Sequence, residues 1–404
     1  MREKGQFSAW LVVGVGFFAL ALSFSARAAL GLAMPIWERE LGWTREFVSF
    51  GGALALIVMA SVAPFAGNLV DHRGPRLLLF VGMIATGAGM LIVATAASRW
   101  QFLLGFAAIA AVGFGIVATH VIATAIAKRF EEGRGLATGI GTAGATGGQL
   151  VIMPLLAIVL QMASWRLGFA VLGIASLMLG AVVLIASDRD AASSAGDGGE
   201  VEALRGRLLF LIRSPVFHVL FWSFLICGFT TTGVIETHLL PYAAACGFPP
   251  LPSAAAYGVL SGVNLAGMIA SGWLTDRWDR PVLLAGIYIV RAFCFILLFF
   301  IAGDFPLLLI FAVLFGLVDY ATVPVTASLV ASHLGLRVMG LAMGVISAGH
   351  AVGGALGAFL GGWLFDDTGT YRWVWMISIA LAVIAGLLVL VLRETRVNGR
   401  PAYA

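Results

Sequence analysis

Apolar runs of about twenty residues, separated only by short polar turns, recur from one end of this chain to the other. No other feature limits its fold as much, because each run is long enough to cross the hydrocarbon of a bilayer as a helix. Lipid offers the backbone no hydrogen-bond partners, which leaves helices and closed barrels as spanning structures. The runs lack the period-two alternation of barrel strands, so helices are expected. Composition agrees: 61% of the residues are hydrophobic and 11% charged, where a soluble domain carries about 25% charged residues.

The first run reaches from about residue 7 to Pro35, and further spans fall at roughly 46–66, 77–97, 100–127, 135–160 and 166–187. After a polar tract over 188–213, rich in Ala, Ser, Gly and Asp, six more follow at roughly 214–240, 252–273, 281–302, 305–332, 338–364 and 372–392. We therefore expect an all-α integral membrane protein of twelve transmembrane helices. It divides into a six-helix bundle over 1–187, a flexible linker over 188–213, and a second six-helix bundle with a short tail over 214–404. The basic start and Ala26-Arg27-Ala28 mimic a cleaved signal peptide. However, the run continues past Arg27, and its end has a counterpart in the second half.

The halves read as copies. Gly67 and Asp71 return as Gly272 and Asp276, 205 residues later. At the same separation Gly135-Leu136-Ala137 returns as Gly340-Leu341-Ala342, Gly148 returns as Gly353, and Leu41-Gly42-Trp43 faces Cys246-Gly247-Phe248. A single offset shared by separate places marks an internal duplication.

The segment Gly67-x3-Asp71-x-Arg73-Gly74-x-Arg76 resembles the signature loop between the second and third helices of the major facilitator superfamily. That family repeats the loop between helices eight and nine, where this chain has Gly272, Asp276 and Arg280. His72 and Pro75 stand at positions that are usually basic. The resemblance implies two pseudo-symmetric bundles with helices one, four, seven and ten around a cavity and helices three, six, nine and twelve at the periphery. It also implies bundles that rock about a site near the membrane midplane. Within the superfamily, Leu41-Gly42-Trp43-Thr44-Arg45, Arg129-Phe130 and Arg134-Gly135-Leu136-Ala137 resemble bacterial monocarboxylate and oxalate/formate porters. The aspartate and arginine that those porters carry on helix eight are missing, and Asn264 is the strongly polar mid-span residue there. The fifth span has Ala145-Thr146-Gly147-Gly148 without the proline of the antiporter element, so drug antiport is not inferred from it.

Basic residues set the orientation. With Met1 in the cytoplasm, Arg39, Arg45, Arg99, Arg166 and Arg372 lie outside, and the remaining loop Lys and Arg lie inside. The positive-inside rule then places both termini and the linker in the cytoplasm. The resemblance to bacterial porters implies a bacterial inner membrane. The net charge of +4 reflects these loops and not a nucleic-acid partner. Cys227, Cys246 and Cys294 lack metal spacing and read as small core residues. No phosphate-cradling Gly-x4-Gly-Lys-Ser/Thr sequence occurs, so a gradient is expected to supply the energy, with no cofactor and no metal. A monomer is expected.

The signature segment offers a latch. By the resemblance, Asp71 faces the start of helix eleven near Arg337 and Gly340, and the repeat sets Asp276 against the start of helix five near Arg134. A carboxylate is favoured at the positive end of a helix, and a contact made only when the cytoplasmic side is closed would bias a two-state equilibrium. The gating set is Gly67, Asp71, Arg73, Gly74, Arg76, Arg134, Gly272, Asp276 and Arg280. The alternative for Arg73, Arg76 and Arg280 is anchorage to anionic headgroups.

Ionisable residues inside the spans mark function by default. Arg27 either attracts a carboxylate substrate or snorkels outward to Glu38 or Glu40. Glu236 and His238 lie near the outer end of span seven on different faces, with Glu236 a coupling group or a solvated helix end. Asp319, followed by Tyr320, and His350 have matching depths on spans ten and eleven and are candidates for a protonatable pair. Arg291 is a ligand or a structural partner of Asp319. Thr119, His120, Gln149 and Asn264 either fix a small polar solute or bond between helices.

The expected function is secondary active transport of a small organic anion such as a monocarboxylate, coupled to a proton. One rival is efflux of a drug or hydrophobic metabolite, and another is a membrane receptor or scaffold. A membrane enzyme finds no His-Glu-x-x-His or Gly-x-Ser-x-Gly arrangement to support it.

Overall fold

The structure, a computed structural model, describes residues 2–186, 204–394, 396–397 and 400–401. Among these, twelve helices are long and apolar enough to cross a membrane. Spans one to six are Ala9–Glu40, Phe50–Arg73, Pro75–Ala94, Arg99–Ala127, Arg134–Leu160 and Trp165–Ile185. Spans seven to twelve are Pro215–Ala245, Pro252–Thr275, Arg280–Phe300, Phe305–His333, Met339–Thr368 and Arg372–Val389. The only strand pairing among the described residues joins Arg396–Val397 to Arg400–Pro401.

Local chemistry explains where the helices begin. Ser214, Asp279 and Asp304 each accept a hydrogen bond from the backbone N–H three residues on, at 3.4, 3.2 and 3.0 Å, with Pro215, Pro281 and Pro306 in the first turn. Proline loses nothing there, since the first N–H groups of a helix have no intrahelical partner. The signature segment is less of a loop than its charges suggest. The helix of span two continues to Arg73, Gly74 alone turns the chain at φ 73°, and Pro75 opens span three. A side chain at that φ would be strained, which makes glycine the fitting residue.

The chain forms two compact units. One comprises Met1–Arg129 and Gly141–Glu200, and the other comprises Phe130–Ile140 and Val201–Ala404. The start of span five thus belongs with the second unit, a boundary that the apolar runs do not reveal. Most of the expected linker lies outside the described residues, but its end is helical, from Leu204 to Arg213. There Arg207 is buried and donates to the Arg337 carbonyl at 2.9 Å.

In the first unit a knot of rings surrounds Trp37, with Trp43, Phe102, Trp165 and Phe169 at centroid distances of 5.2 to 5.7 Å. The Trp165 indole N–H donates to Glu40 Oε2 at 2.8 Å. Span four has a π-helical stretch, Leu103–Ala110, and then breaks at Val117 and Ala118, where Ser23 of span one donates to the Val117 carbonyl at 3.2 Å. The second unit repeats the break on span ten, whereas its π-helical stretch falls on span seven. Span seven is π-helical over Phe229–Ile235, and span ten stops at Val318 and resumes at Thr322.

Replacing fully buried Trp37 by alanine is expected to cost about 3–5 kcal/mol. The same change at Trp100, which is 79% exposed, should leave the unfolding transition of the detergent-solubilised protein in place.

Candidate functional site

Interrupting a helix in hydrocarbon frees carbonyl and N–H groups that only other parts of the protein can satisfy. At the interruption in span ten, Arg291 of span nine supplies the donors. Its Nη2 donates to the carbonyls of Val318 and Asp319, each at 2.7 Å. Its Nη1 donates to Cys227 Sγ at 3.1 Å and to Thr230 Oγ1 at 3.2 Å, both on span seven.

Asn264 of span eight closes the other side of the break. Its Nδ2 donates to Asp319 Oδ2 at 3.0 Å, and its Oδ1 accepts from the Tyr320 N–H at 3.2 Å. The Tyr320 hydroxyl in turn donates to Glu236 Oε1 at 2.8 Å, so Glu236 is not merely a solvated helix end. Asp319 is only 4% exposed, and its Oδ1 has no hydrogen-bond partner among the described residues. Glu236, Asn264, Arg291, Asp319 and Tyr320 thus form one group inside the second unit.

His350 reaches this group only through Cys227, the thiol that also takes an Arg291 N–H. The expected pairing with Asp319 does not form, and the His350 ring packs on Phe224 with centroids 5.0 Å apart. Equal depth along two helices says nothing about rotation around them, and the break turns Asp319 toward spans eight and nine. His238 is also separate. It bonds the Ala358 carbonyl at 2.9 Å and lies 5.5 Å, ring to ring, from Tyr371. Burial, and then the charge of Asp366, push the Tyr371 phenol above its usual pKa, so it stays neutral at ordinary pH.

In the first unit, buried His120 meets the Ala63 backbone, while its Nε2 has no partner among the described residues. Thr119, Gln149 and Arg27 are half-buried. The Arg27 guanidinium lies over the Phe24 ring at 4.6 Å and makes no ion pair among the described residues. Glu40, one of its expected partners, is held by Trp165.

At the polar turns, Asp276 accepts from the N–H groups of Gly135 at 2.7 Å and Leu136 at 2.9 Å. These belong to the first turn of the helix Arg134–Thr142, whose positive end favours a carboxylate. Gly135 and Gly272 let the two backbones approach, since a methyl group on either would strike the other's carbonyl. Arg134 turns back to the Phe130 carbonyl at 2.9 Å. Near buried Gly67, Asp71 forms an ion pair with Lys128 at 2.8 Å.

Headgroup anchorage does not describe Arg280 or Arg76. Arg280 is fully buried in an ion pair with Glu394 and donates to Ser328 Oγ at 3.0 Å, while Arg76 bonds the Leu184 carbonyl. Arg73 is exposed and open to that role. Sequence reading missed Lys128, Glu394 and Cys227. Lys128 and Glu394 stand just past the ends of spans four and twelve, where a partner for a turn residue is worth seeking. Cys227 precedes Thr230 by one helical turn.

The profile described as Major Facilitator Superfamily matches residues 16–304 and 265–403. Monocarboxylate transporter 13 of Rattus norvegicus is 26% identical over 386 residues, which cover 95% of this chain and 88% of that protein. The MFS-type transporter YcxA of Bacillus subtilis is 24% identical, with 86% of each chain covered. Among solved structures, the proton:xylose symporter XylE bound to 6-bromo-6-deoxy-D-glucose aligns with a TM-score of 0.74 at 15% identity, over 96% of this chain and 95% of that one. At that identity the likeness concerns the fold.

Two substitutions test this geometry. Asn264→Leu removes both bonds that Asn264 makes at the break and should cost about 1–3 kcal/mol in thermal unfolding. Asp276→Ala strips the acceptor from two helix N-terminal donors and should cost about 1–2 kcal/mol, with Asp276→Asn intermediate.

Proposed function

Because the chain belongs to the major facilitator superfamily, a family of membrane transporters, we propose that it moves a small organic anion, such as a monocarboxylate, together with a proton. It does so by alternating access. The observation that carries the coupling is Asp319: a carboxyl buried in an apolar span, fixed by Asn264 through Oδ2 and left without a partner at Oδ1. A carboxyl saturated by donors is locked in its charged form, whereas one with an open oxygen can take and release a proton.

Glu236 joins the group through Tyr320 and is half-buried, which suits the passage of protons between Asp319 and water. For the anion, Arg27 is the candidate anchor, being half-buried and free of any carboxylate among the described residues. The relatives named monocarboxylate transporters support this substrate class. The Asp276 contact with helix five is a candidate latch, and Asp71 is its repeat-related counterpart. The basic loops favour cytoplasmic termini, and the likeness to YcxA of Bacillus subtilis supports a bacterial cytoplasmic membrane.

Proteoliposomes test the reading. With a panel of short carboxylates, an inward proton gradient should drive accumulation of at least one. Asp319→Asn should abolish the gradient-driven accumulation and keep exchange of substrate across the membrane. If no carboxylate shows pH-dependent flux, the anion reading is wrong. If Asp319→Asn accumulates substrate like the wild type, the proton is carried elsewhere.

A further inference from the structure

The duplication provides an internal control for the polar group. At the 205-residue offset, Asn264, Arg291 and Asp319 correspond to Met59, Thr86 and Phe114. Spans three and four share this register with nine and ten: Pro75–Ala94 precedes Arg280–Phe300, and Arg99–Ala127 precedes Phe305–His333, by nearly that distance. Both copies interrupt the second helix of the pair. In the first unit the neutral hydroxyl of Ser23 serves the freed Val117 carbonyl, so this fold builds the break without a charge.

The second unit uses a guanidinium for the same task. An arginine that is fully buried in a membrane span is costly, and the first unit demonstrates that the break alone does not require one. What distinguishes the second break is the carboxyl beside it. We infer that Arg291 is the positioning residue of the proton site, capping the interrupted helix through main-chain oxygens and so aiming Asp319 at Asn264 without an ion pair to its carboxylate.

The geometry has three parts. Both Nη2 bonds go to successive carbonyls, those of Val318 and Asp319, which fixes the backbone that carries the carboxyl. Both Nη1 bonds go to span seven, to Cys227 Sγ and Thr230 Oγ1, where its α-helix gives way to the π-helix. No carboxylate oxygen bonds the guanidinium among the described residues. A direct Arg–Asp pair would hold the aspartate charged, whereas a guanidinium spent on the backbone lends its field and leaves Oδ1 open. The charged and titratable groups around Asp319 are Arg291 on span nine and Glu236 and Cys227 on span seven, with His350 of span eleven against Cys227 and neutral Asn264 on span eight. Lysine, a point charge without the planar fork, cannot span both carbonyls while also reaching span seven.

This inference rests on the reading of Asp319 as the proton carrier, and the test separates the two. Infrared difference spectra of the purified full chain in detergent follow the protonated-carboxyl band against pH, with no substrate needed. The component of the band that remains above the pH range where exposed carboxyls are protonated should titrate in the wild type and vanish in Asp319→Asn, and it is this component that the variants are compared on. In Arg291→Gln, loss of a nearby cation favours the neutral acid, so the band should persist to higher pH by about one unit or more. Arg291→Lys, which keeps the charge and loses the fork, should lie between the two. If Asp319→Asn keeps the band, the proton-site reading fails. If that variant loses the band while both Arg291 variants titrate as the wild type does, the positioning role is overturned. Should Arg291→Gln not fold, as judged by gel filtration and thermal unfolding, Arg291→Lys decides alone, a wild-type titration again overturning the role.

Discussion

Every main-chain carbonyl and N–H in the hydrocarbon needs a partner from the protein, and the rest of this structure follows from that constraint. Uninterrupted helices meet it within themselves, which is why the apolar runs map so directly onto spans. Where a helix stops midway, the freed groups recruit side chains from neighbouring spans, and polar residues collect at such points. In the first unit the recruit is Ser23 at Val117, and in the second it is Arg291 with Asn264 at Val318, Asp319 and Tyr320.

Duplication makes the difference between these breaks informative. A fold that appears twice in one chain separates what the architecture demands from what one copy has acquired. Breaks in the second helix of the three-four and nine-ten pairs belong to the architecture. The buried arginine and aspartate belong to the second copy alone, since threonine and phenylalanine stand at their counterparts in the first. Helix packing does not account for charges that the sister copy lacks.

Much of this was legible in the sequence, and what was not has a physical cause. The spans were readable because crossing a bilayer sets a length that apolar runs must match. The approach of Asp276 to the start of span five was readable because the repeat carries one turn's chemistry to the other. Grouping the intramembrane residues was harder. Asp319 and His350 share a depth, but a contact between helices also requires matching rotation, which a buried sequence polar on few sides does not encode. Arg280 illustrates a further gap: its partner Glu394 lies 114 residues away on the tail, with no periodicity to link them. The break in span ten did leave a mark, Pro324, which has no N–H to give the Tyr320 carbonyl, but a lone proline does not tell which side chains will serve the freed groups.

The two aspartates of the second unit divide the work that a carboxylate can do in such a protein. Asp276 takes two backbone N–H groups, one on each oxygen, at the positive end of a helix, where its charge is favoured and has little reason to change. Such a group suits a contact that is made or broken whole. Asp319 has one oxygen held and one open, beside a cation that is committed to the backbone. The Asn264 N–H favours the charged form at one oxygen, and the other is left open to a proton. Satisfaction of the lone pairs therefore distinguishes the carboxylate that holds the structure from the one we propose as the proton carrier.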